Sequence, residues 1–242
     1  MIDIHCHILP GFDDGSRDIR ESLAMIRAAA ESGVTGIVAT PHFRGEQRSL
    51  NYVPMLLERF QRLEYAVRET GLPVTLYPGA EILCMPQTVE MARRRELPTL
   101  GDTNYLLCEF YFDEHISYMD EMLEEIQNAG YTPVVAHPER YHTIQHDPRG
   151  LERWFSKGYL IQLNKGSLLG AFGYEEQRTG EWILGNGLAH MIASDAHGAN
   201  RRTTDMGALR KWLMEKYPPA YGKVLLEINP ARLIRGEEMY RP

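Results

Sequence analysis

Met1-Ile2-Asp3-Ile4-His5-Cys6-His7 is the most informative stretch for predicting the fold, because a short apolar run leads directly into two histidines. Residues two apart on an extended segment project to the same side, so His5 and His7 are expected to face one way and Cys6 the other. Imidazole binds borderline divalent metals, and Asp195-Ala196-His197 offers a second such pair near the other end of the chain. We therefore expect the first strand to carry metal ligands.

Working outward, short runs typical of strands alternate with amphipathic stretches typical of helices along the whole chain. The predicted strands are residues 1–5, 36–40, 74–77, 105–109, 132–136, 160–163 and 190–193. The clearest predicted helices, 19–32, 54–70 and 118–129, are each followed by a glycine. Weaker helical patterns cover residues 87–95, 151–157, 175–184 and 205–217.

Alternation of strand and helix predicts an α/β fold with a mostly parallel sheet. About seven such units in 242 residues favour a (β/α) TIM-like barrel over an open, doubly wound sheet. No shift in composition suggests a second domain, so residues 1–242 are expected to form a single one. In either architecture the functional site lies at the carboxyl ends of the strands.

Single His, Asp or Glu residues recur at these expected strand ends. The candidate metal ligands are His5, His7, Asp14, His42, Glu81, Glu109, His137, Asp195 and His197. A lone histidine at a strand end is usually a packing residue, but repetition at one structural position favours metal binding. One ion takes about four to six of these ligands, so we expect two or three divalent ions, with carboxylates such as Glu81 bridging them. The positive charge of three divalent ions would exceed the negative charge of the four carboxylates, so the site would attract a phosphate monoester.

Two arginines extend this site. Arg140 ends the sequence His137-Pro138-Glu139-Arg140, and Arg202 lies five residues after His197. A guanidinium matches phosphate oxygens bidentately. A surface ion pair with Glu139 is the alternative for Arg140, but its position just after a ligand favours contact with phosphate.

The overall charge limits the classes of partner. The formal net charge is −7, so the chain lacks the basic footprint of a nucleic-acid binder. Three cysteines without a CxxC pair indicate a reducing compartment. With no leader pattern and no apolar run long enough to span a bilayer, we expect a cytoplasmic protein without membrane insertion, and the oligomeric state stays open.

Taken in order, six motifs resemble those of the manganese-dependent bacterial tyrosine-protein phosphatases of the polymerase and histidinol phosphatase superfamily, which belong to capsular and exopolysaccharide gene clusters. The resemblance covers nearly the whole chain. The motifs are Ile2-Asp3-Ile4-His5-Cys6-His7-Ile8-Leu9-Pro10-Gly11 with Asp13-Asp14-Gly15, Ala39-Thr40-Pro41-His42, Pro78-Gly79-Ala80-Glu81, Ala136-His137-Pro138-Glu139-Arg140, Gly166-Ser167-Leu168-Leu169-Gly170 and Ser194-Asp195-Ala196-His197.

The resemblance implies a distorted seven-stranded βα barrel with three metal ions, in which Arg140 and Arg202 bind the substrate phosphate. It implies manganese, although such ligands also accept iron, zinc or cobalt. The implied partner is the tyrosine-rich tail of a bacterial tyrosine autokinase that regulates polysaccharide assembly. The implied ligand sets are His5, His7, Glu81 and Asp195 for one ion, Glu81, Glu109 and His137 for the second, and Asp14, His42 and His197 for the third.

Three positions depart from the family pattern. Arg201 precedes Arg202 and competes with it for the phosphate role, Phe43 stands where a second histidine often follows, and Lys165 stands where a smaller residue is usual. None of these changes removes a metal ligand, so they bear on substrate preference.

Our hypothesis is metal-assisted hydrolysis of phosphotyrosine on protein, and three alternatives are weighed against it. A cysteine phosphatase needs arginine six positions after its nucleophile, and those positions hold Phe12, Glu90 and Glu114. A small-molecule phosphatase of the same superfamily, acting on histidinol phosphate, would use the same ligands. A non-catalytic, metal-stabilised regulatory domain would not require the two arginines.

Overall fold

Nine short strands carry the fold, and the computed structural model describes them within residues 1–45 and 49–241. Seven of them lie where the sequence predicts strands, and β3 and β5 are two further, very short ones. The strands are β1 Ile2–Cys6, β2 Gly36–Ala39, β3 His42–Phe43, β4 Thr75–Pro78, β5 Glu81–Leu83, β6 Tyr105–Glu109, β7 Thr132–Ala136, β8 Leu160–Asn164 and β9 Met191–Ala193.

Helices follow most of the strands. In α1 the Asp18 carboxylate caps the first turn by accepting from the backbone N–H groups of Arg20 and Glu21 at 2.9 and 3.0 Å. No helix of the described residues is long and apolar enough to cross a bilayer. The helices are α1 Ile19–Glu31, α2 Ser49–Thr70, α3 Pro86–Arg93, α4 Ile116–Asn128, α5 His142–His146, α6 Gly150–Ser156, α7 Lys165–Leu168, α8 Tyr174–Gly185, α9 Gly207–Lys216, α10 Pro219–Lys223 and α11 Asn229–Leu233, with single turns at Leu100–Asp102, Pro138–Arg140 and Val224–Ile228.

The strands form two parallel sheets, in the orders β1-β2-β4 and β3-β5-β6-β7-β8-β9. The expected α/β class with parallel strands is confirmed, but the expected single set of seven strands is not found. Two-residue breaks, at Thr40-Pro41 and Gly79-Ala80, end β2 and β4. Pro41 has no N–H to continue the ladder, and the chain resumes as β3 and β5, which pair with each other in the second sheet.

The first and last strands meet at their carboxyl ends. The Asp195 N–H donates to the His5 carbonyl and the His7 N–H donates to the Ala196 carbonyl, each at 2.9 Å. This contact is an isolated bridge between Cys6 and Ala196, so the two sheets do not close into one continuous barrel sheet. It nevertheless places the segment that carries His5 and His7 beside the segment that carries Asp195 and His197.

Side chains alternate between two buried apolar clusters. On β1, Ile4 belongs to a smaller cluster gathered from six strands, whereas Cys6 belongs to the larger cluster between strands and helices. On β6, Leu107 likewise belongs to the smaller cluster and Cys108 to the larger one. Cys6 therefore packs in the core and faces away from the neighbouring histidines, as the alternation predicts.

Candidate metal centre

All nine predicted ligands come together at the carboxyl ends of the strands. This is where parallel α/β folds place their sites. Those on strands are His5 on β1, His42 on β3, Glu81 on β5 and Glu109 on β6, and those just beyond strands or in loops are His7, Asp14, His137, Asp195 and His197.

The most deeply buried part of the cluster joins His5, His7 and Glu81. The Nε2 atoms of the two histidines lie 3.2 Å apart, and they lie 3.2 and 3.3 Å from the Glu81 carboxylate oxygens. Asp195 Oδ1 lies 3.5 Å from both of these nitrogens. The four side chains match the first ligand set that the family resemblance implies.

A second group contains His42, Glu81 and Glu109. His42 Nδ1 lies 3.0 Å from Glu81 Oε2 and 3.4 Å from Glu109 Oε2. His137, which the resemblance assigns here, lies 2.8 Å from Glu81 and 4.0 Å from Glu109 through its Nε2 atom. Glu81 thus takes part in two groups, as a bridging carboxylate would.

A third group lies nearer the surface and contains His7, Asp14, His42 and His197, whose ligand atoms all lie within 4.8 Å of one another. Asp14 Oδ1 lies 3.3 Å from His42 Nε2 and 3.7 Å from His197 Nε2. The implied set lacked His7. His7 and His42 therefore each adjoin two groups in the structure.

Several buried polar atoms in the cluster suit a metal better than a hydrogen bond. Among the described residues, Glu81 Oε2, His42 Nδ1 and His137 Nδ1 are buried without a hydrogen-bond partner of normal geometry. Buried carboxylates cost several kcal/mol unless cations compensate them, and neutral imidazoles cannot do so. The mixture of imidazole and carboxylate donors fits divalent transition metals.

Two residues that the sequence analysis missed contact candidate ligand histidines. Asp13 Oδ2 lies 2.7 Å from His7 Nδ1 and accepts from the His42 backbone N–H at 3.1 Å. Gln162 Oε1 lies 2.9 Å from His5 Nδ1. Such partners fix the ring orientation of a ligand and raise its basicity. Asp13 stands beside Asp14 and carries a sequence signal, whereas Gln162 lies on a distant strand and carries none.

Asp13 and His7 form a strongly polarised pair. Burial alone would raise the pKa of Asp13, but its hydrogen bond with His7 and the nearby backbone donors lower that pKa to about 2. Burial alone would lower the pKa of His7, but the hydrogen bonds to Asp13 and Glu81 raise it to about 9. The histidine therefore sits in a field that attracts positive charge, which a metal ion would supply.

Three residues of the site have left-handed backbones, with φ of 36° at His137, 48° at Asp195 and 49° at Arg202. A non-glycine residue in this region costs about 1–3 kcal/mol and persists only where the surroundings hold it. Two of the three side chains are candidate ligands and the third is a predicted phosphate-binding arginine. Three of the five non-glycine residues with positive φ in the described part of the chain therefore belong to this cluster, the others being Arg95 and Asp102.

Both predicted arginines reach the cluster. Arg140 Nη1 and Arg202 Nη2 lie 3.3 and 2.5 Å from the Asp195 Oδ2 atom. Glu139 is buried and accepts from the Asn164 N–H at 2.9 Å, so it does not form the surface ion pair with Arg140 that was weighed as the alternative. Arg201 is exposed and is not among the residues lining the cavity, whereas Arg202 is one of them.

A cavity of about 280 Å³ opens over the cluster and joins these groups. Its lining combines candidate ligands, Arg140 and Arg202 with five residues that the sequence analysis did not select, four of them apolar or aromatic and one a third arginine. The run Phe110-Tyr111-Phe112, directly after Glu109, was the available signal. The additional lining residues are Arg44, Leu83, Phe110, Tyr111 and Phe112.

Comparisons with known proteins agree with this geometry. Residues 1–235 match the family model described as capsular polysaccharide synthesis, CpsB/CapC. The chain is 34% identical over 241 residues to the tyrosine-protein phosphatase YwqE of Bacillus subtilis, covering 100% of this chain and 94% of that protein. It is 29% identical to the tyrosine-protein phosphatase CpsB of Streptococcus pneumoniae, covering 98% and 99%.

A solved structure is similar over the full length. It comes from crystal structures of B. subtilis YwqE and S. pneumoniae CpsB, described as unique metal-dependent tyrosine phosphatases. The match has a TM-score of 0.90 at 34% identity and covers 100% of this chain and 97% of the other.

Proposed function

Because this chain belongs to the CpsB/CapC family of capsular polysaccharide synthesis, we propose that it is a metal-dependent protein-tyrosine phosphatase. The observation that carries the proposal is the content of one cavity. Candidate metal ligands, three arginines including Arg140 and Arg202, and the aromatic residues Phe110, Tyr111 and Phe112 all line it. Metal ions and arginines suit the phosphate group of a monoester substrate. The aromatic residues suit an aryl group attached to that phosphate.

The chemistry divides among these groups. Bound divalent ions would activate water and stabilise the charge on the phosphate during its transfer. We propose that Glu81 and the surrounding histidines hold these ions. The Arg140 and Arg202 guanidinium groups bind the phosphate oxygens and stabilise the negative charge that shifts onto them. Tyr111 and Phe112, both partly exposed at the cavity, lie against the tyrosyl ring.

We further propose that the cofactor is three manganese ions held by the nine candidate ligands. We also propose that residues 1–242 form one catalytic domain whose strands make a distorted, unclosed seven-stranded barrel, with β2–β3 and β4–β5 each counted as one interrupted strand. The three groups of clustered ligand atoms support the number of ions. We propose that the protein acts in the cytoplasm, and that its physiological substrate is the phosphotyrosine-containing tail of a bacterial tyrosine kinase that regulates capsule or exopolysaccharide synthesis. The name of the family supports that link.

The proposal is tested by steady-state hydrolysis of a phosphotyrosine peptide, the matching phosphoserine peptide and histidinol phosphate by manganese-loaded protein. We expect the phosphotyrosine peptide to give the highest kcat/KM. Arg202→Ala should lower that value by roughly 10- to 100-fold, the range expected when hydrogen bonds to a charged group are lost.

The neighbouring substitution Arg201→Ala removes the same charge from an exposed side chain and is the matched control. We expect its kcat/KM to stay within about twofold of wild type, since surface charges contribute little. Preference for histidinol phosphate, or equal effects of the two arginine substitutions, would contradict the proposal.

A further inference from the structure

The segment Asn164–Gly173 contains a motif that metal binding leaves unexplained. It follows β8 directly, includes the single turn α7, and carries the sequence Gly166-Ser167-Leu168-Leu169-Gly170. None of the candidate metal ligands lies in it. Its Phe172 ring instead contacts the two arginines, and its Asn164 Nδ2 donates to the Asp195 Oδ2 atom that both arginines also contact, at 2.6 Å.

Phe172 contacts both arginines. The guanidinium carbon of Arg140 lies 4.7 Å from the centroid of the Phe172 ring, and that of Arg202 lies 5.6 Å from it. Arg140 also lies over the Phe112 ring at 4.4 Å. Guanidinium groups within about 6 Å of an aromatic centroid are attracted to the ring face. One phenylalanine therefore contacts both cations, which the Asp195 carboxylate also joins through a single oxygen.

The glycines of the motif make room for this ring. A Cβ atom at Gly166 would lie 2.7 Å from the Phe172 Cε2 and Cζ atoms, which is too close for any side chain. Gly170 and Gly173, at φ of 74° and 132°, adopt backbone conformations that return the chain over α7. Substituting Gly166 would displace the ring from the arginines.

Lys165 contacts the loop that carries Arg202. Its side chain is 7% exposed, and its Nζ donates to the carbonyls of Thr203 and Asp205, the latter at 2.8 Å. These carbonyls directly follow Arg202, whose backbone is left-handed. The lysine thus fixes the loop that presents Arg202.

We propose that Phe172 is a positioning residue for Arg140 and Arg202, and that Lys165 anchors the Arg202 loop, so that the Asn164–Gly173 segment sets the affinity of the site for phosphate. This inference rests on the proposed function, in which the two arginines bind the phosphate of the substrate. It gives the motif and Lys165 a role in substrate binding without any contact to metal.

The test measures binding of inorganic phosphate to manganese-loaded protein by calorimetry, together with its competitive inhibition of phosphotyrosine peptide hydrolysis. Phe172→Leu keeps an apolar side chain but removes the ring, and we expect phosphate to bind roughly tenfold more weakly. Phe172→Tyr should restore most of the affinity. Lys165→Met should weaken phosphate binding in the same direction.

Tyr174→Ala, at an exposed aromatic residue two positions further on, is the matched control and should leave phosphate binding unchanged. Manganese content and the thermal unfolding midpoint distinguish positioning from general damage. An unchanged phosphate affinity in Phe172→Leu would overturn the inference. So would a loss that Phe172→Tyr does not restore, or one that only follows lost manganese.

The two proposals fail separately. If wild type does not hydrolyse the phosphotyrosine peptide, the proposed function fails, while weaker phosphate binding by Phe172→Leu still supports the positioning role. If wild type hydrolyses the peptide and phosphate binding is insensitive to the Phe172 ring, only the positioning role is overturned.

Discussion

Asp13 shows how much of this site depends on a residue that need not touch a metal. Its carboxylate lies against His7 Nδ1 and also accepts from the backbone N–H groups of Gly15 and His42. One side chain therefore orients a candidate ligand and fixes the start of β3 against the loop after β1. The sequence analysis selected Asp14 and not Asp13 as a candidate, because only the folded loop shows which carboxylate reaches the His7 ring.

Replacing Asp13 by Asn keeps the shape of the side chain but removes its charge. We expect the affinity for manganese to fall by about 10- to 100-fold, since a partner of a metal-bound histidine contributes that much. Metal titration of the apoprotein measures the change. Asp113→Asn, at an exposed aspartate, is the control, and equal affinities in the two variants would disprove the orienting role of Asp13.

His190, which lies away from the cluster, is expected to make the stability of the fold depend on pH. Burial, with a smaller effect from Arg241, lowers its pKa from 6.5 to about 4. The unfolded chain therefore takes up this proton first as pH falls, and stability is lost between about pH 6.5 and 4. A shift of this size corresponds to a loss of about 3 kcal/mol in the free energy of unfolding.

The variant His190→Asn isolates this contribution. Asparagine retains an acceptor near the Nδ1 atom, which accepts from the Ile161 N–H at 3.1 Å, but it cannot be protonated in this range. We expect the difference in unfolding free energy between wild type and variant to change by about 3 kcal/mol from pH 7 to pH 4. Denaturant unfolding across that range measures it, and parallel pH curves would refute the assignment.

At the level of elements, hydrophobic periodicity predicted seven strands, and each is confirmed within one or two residues. It missed β3 and β5 because runs of two and three residues show no period. The ligand positions were accessible from sequence because they follow strands. Phe112, Phe172 and Gln162 were not, since their roles depend on how loops return over the sheet and on which strands become neighbours.

The loop after β1 is closely packed at Gly15. A Cβ atom there would lie 2.2 Å from the His7 carbonyl oxygen and 2.5 Å from the His7 Cβ atom. We expect Gly15→Ala to lower the free energy of unfolding by roughly 2–3 kcal/mol and to reduce bound manganese, because the loop must move away from His7.

Gly185→Ala serves as the comparison, since no atom lies within 4 Å of the added carbon. Because residue 185 is helical, this substitution should leave the free energy of unfolding unchanged or raise it by up to about 1 kcal/mol. Denaturant unfolding and metal analysis of both variants test the prediction. Equal stabilities would show that the loop accommodates a side chain at residue 15.

On the scale of the whole molecule, the metal cluster is expected to stabilise the fold as well as the reaction. Glu81 and Asp195 are almost fully buried carboxylates that connect β5 and the end of β9 to the histidines of β1. Ions bound only by the folded state add about 2.7 kcal/mol at a hundredfold excess over their dissociation constant. The fold and its cofactor are therefore coupled.

Removing metal with a chelator should lower the thermal unfolding midpoint by roughly 5–10 °C, given the size of the chain. Differential scanning calorimetry with and without manganese measures the shift. In Glu81→Gln, which weakens two ligand groups at once, the chelator should have a much smaller effect. A wild-type midpoint independent of metal would contradict the coupling.

The bridge between the ends of β1 and β9 has a consequence for synthesis. The Asp195 and His197 side chains that complete the surroundings of His5 are translated long after it. A nascent chain therefore has an incomplete set of candidate ligands until those residues have emerged from the ribosome. Its long-range contacts also place it among the slower-folding topologies.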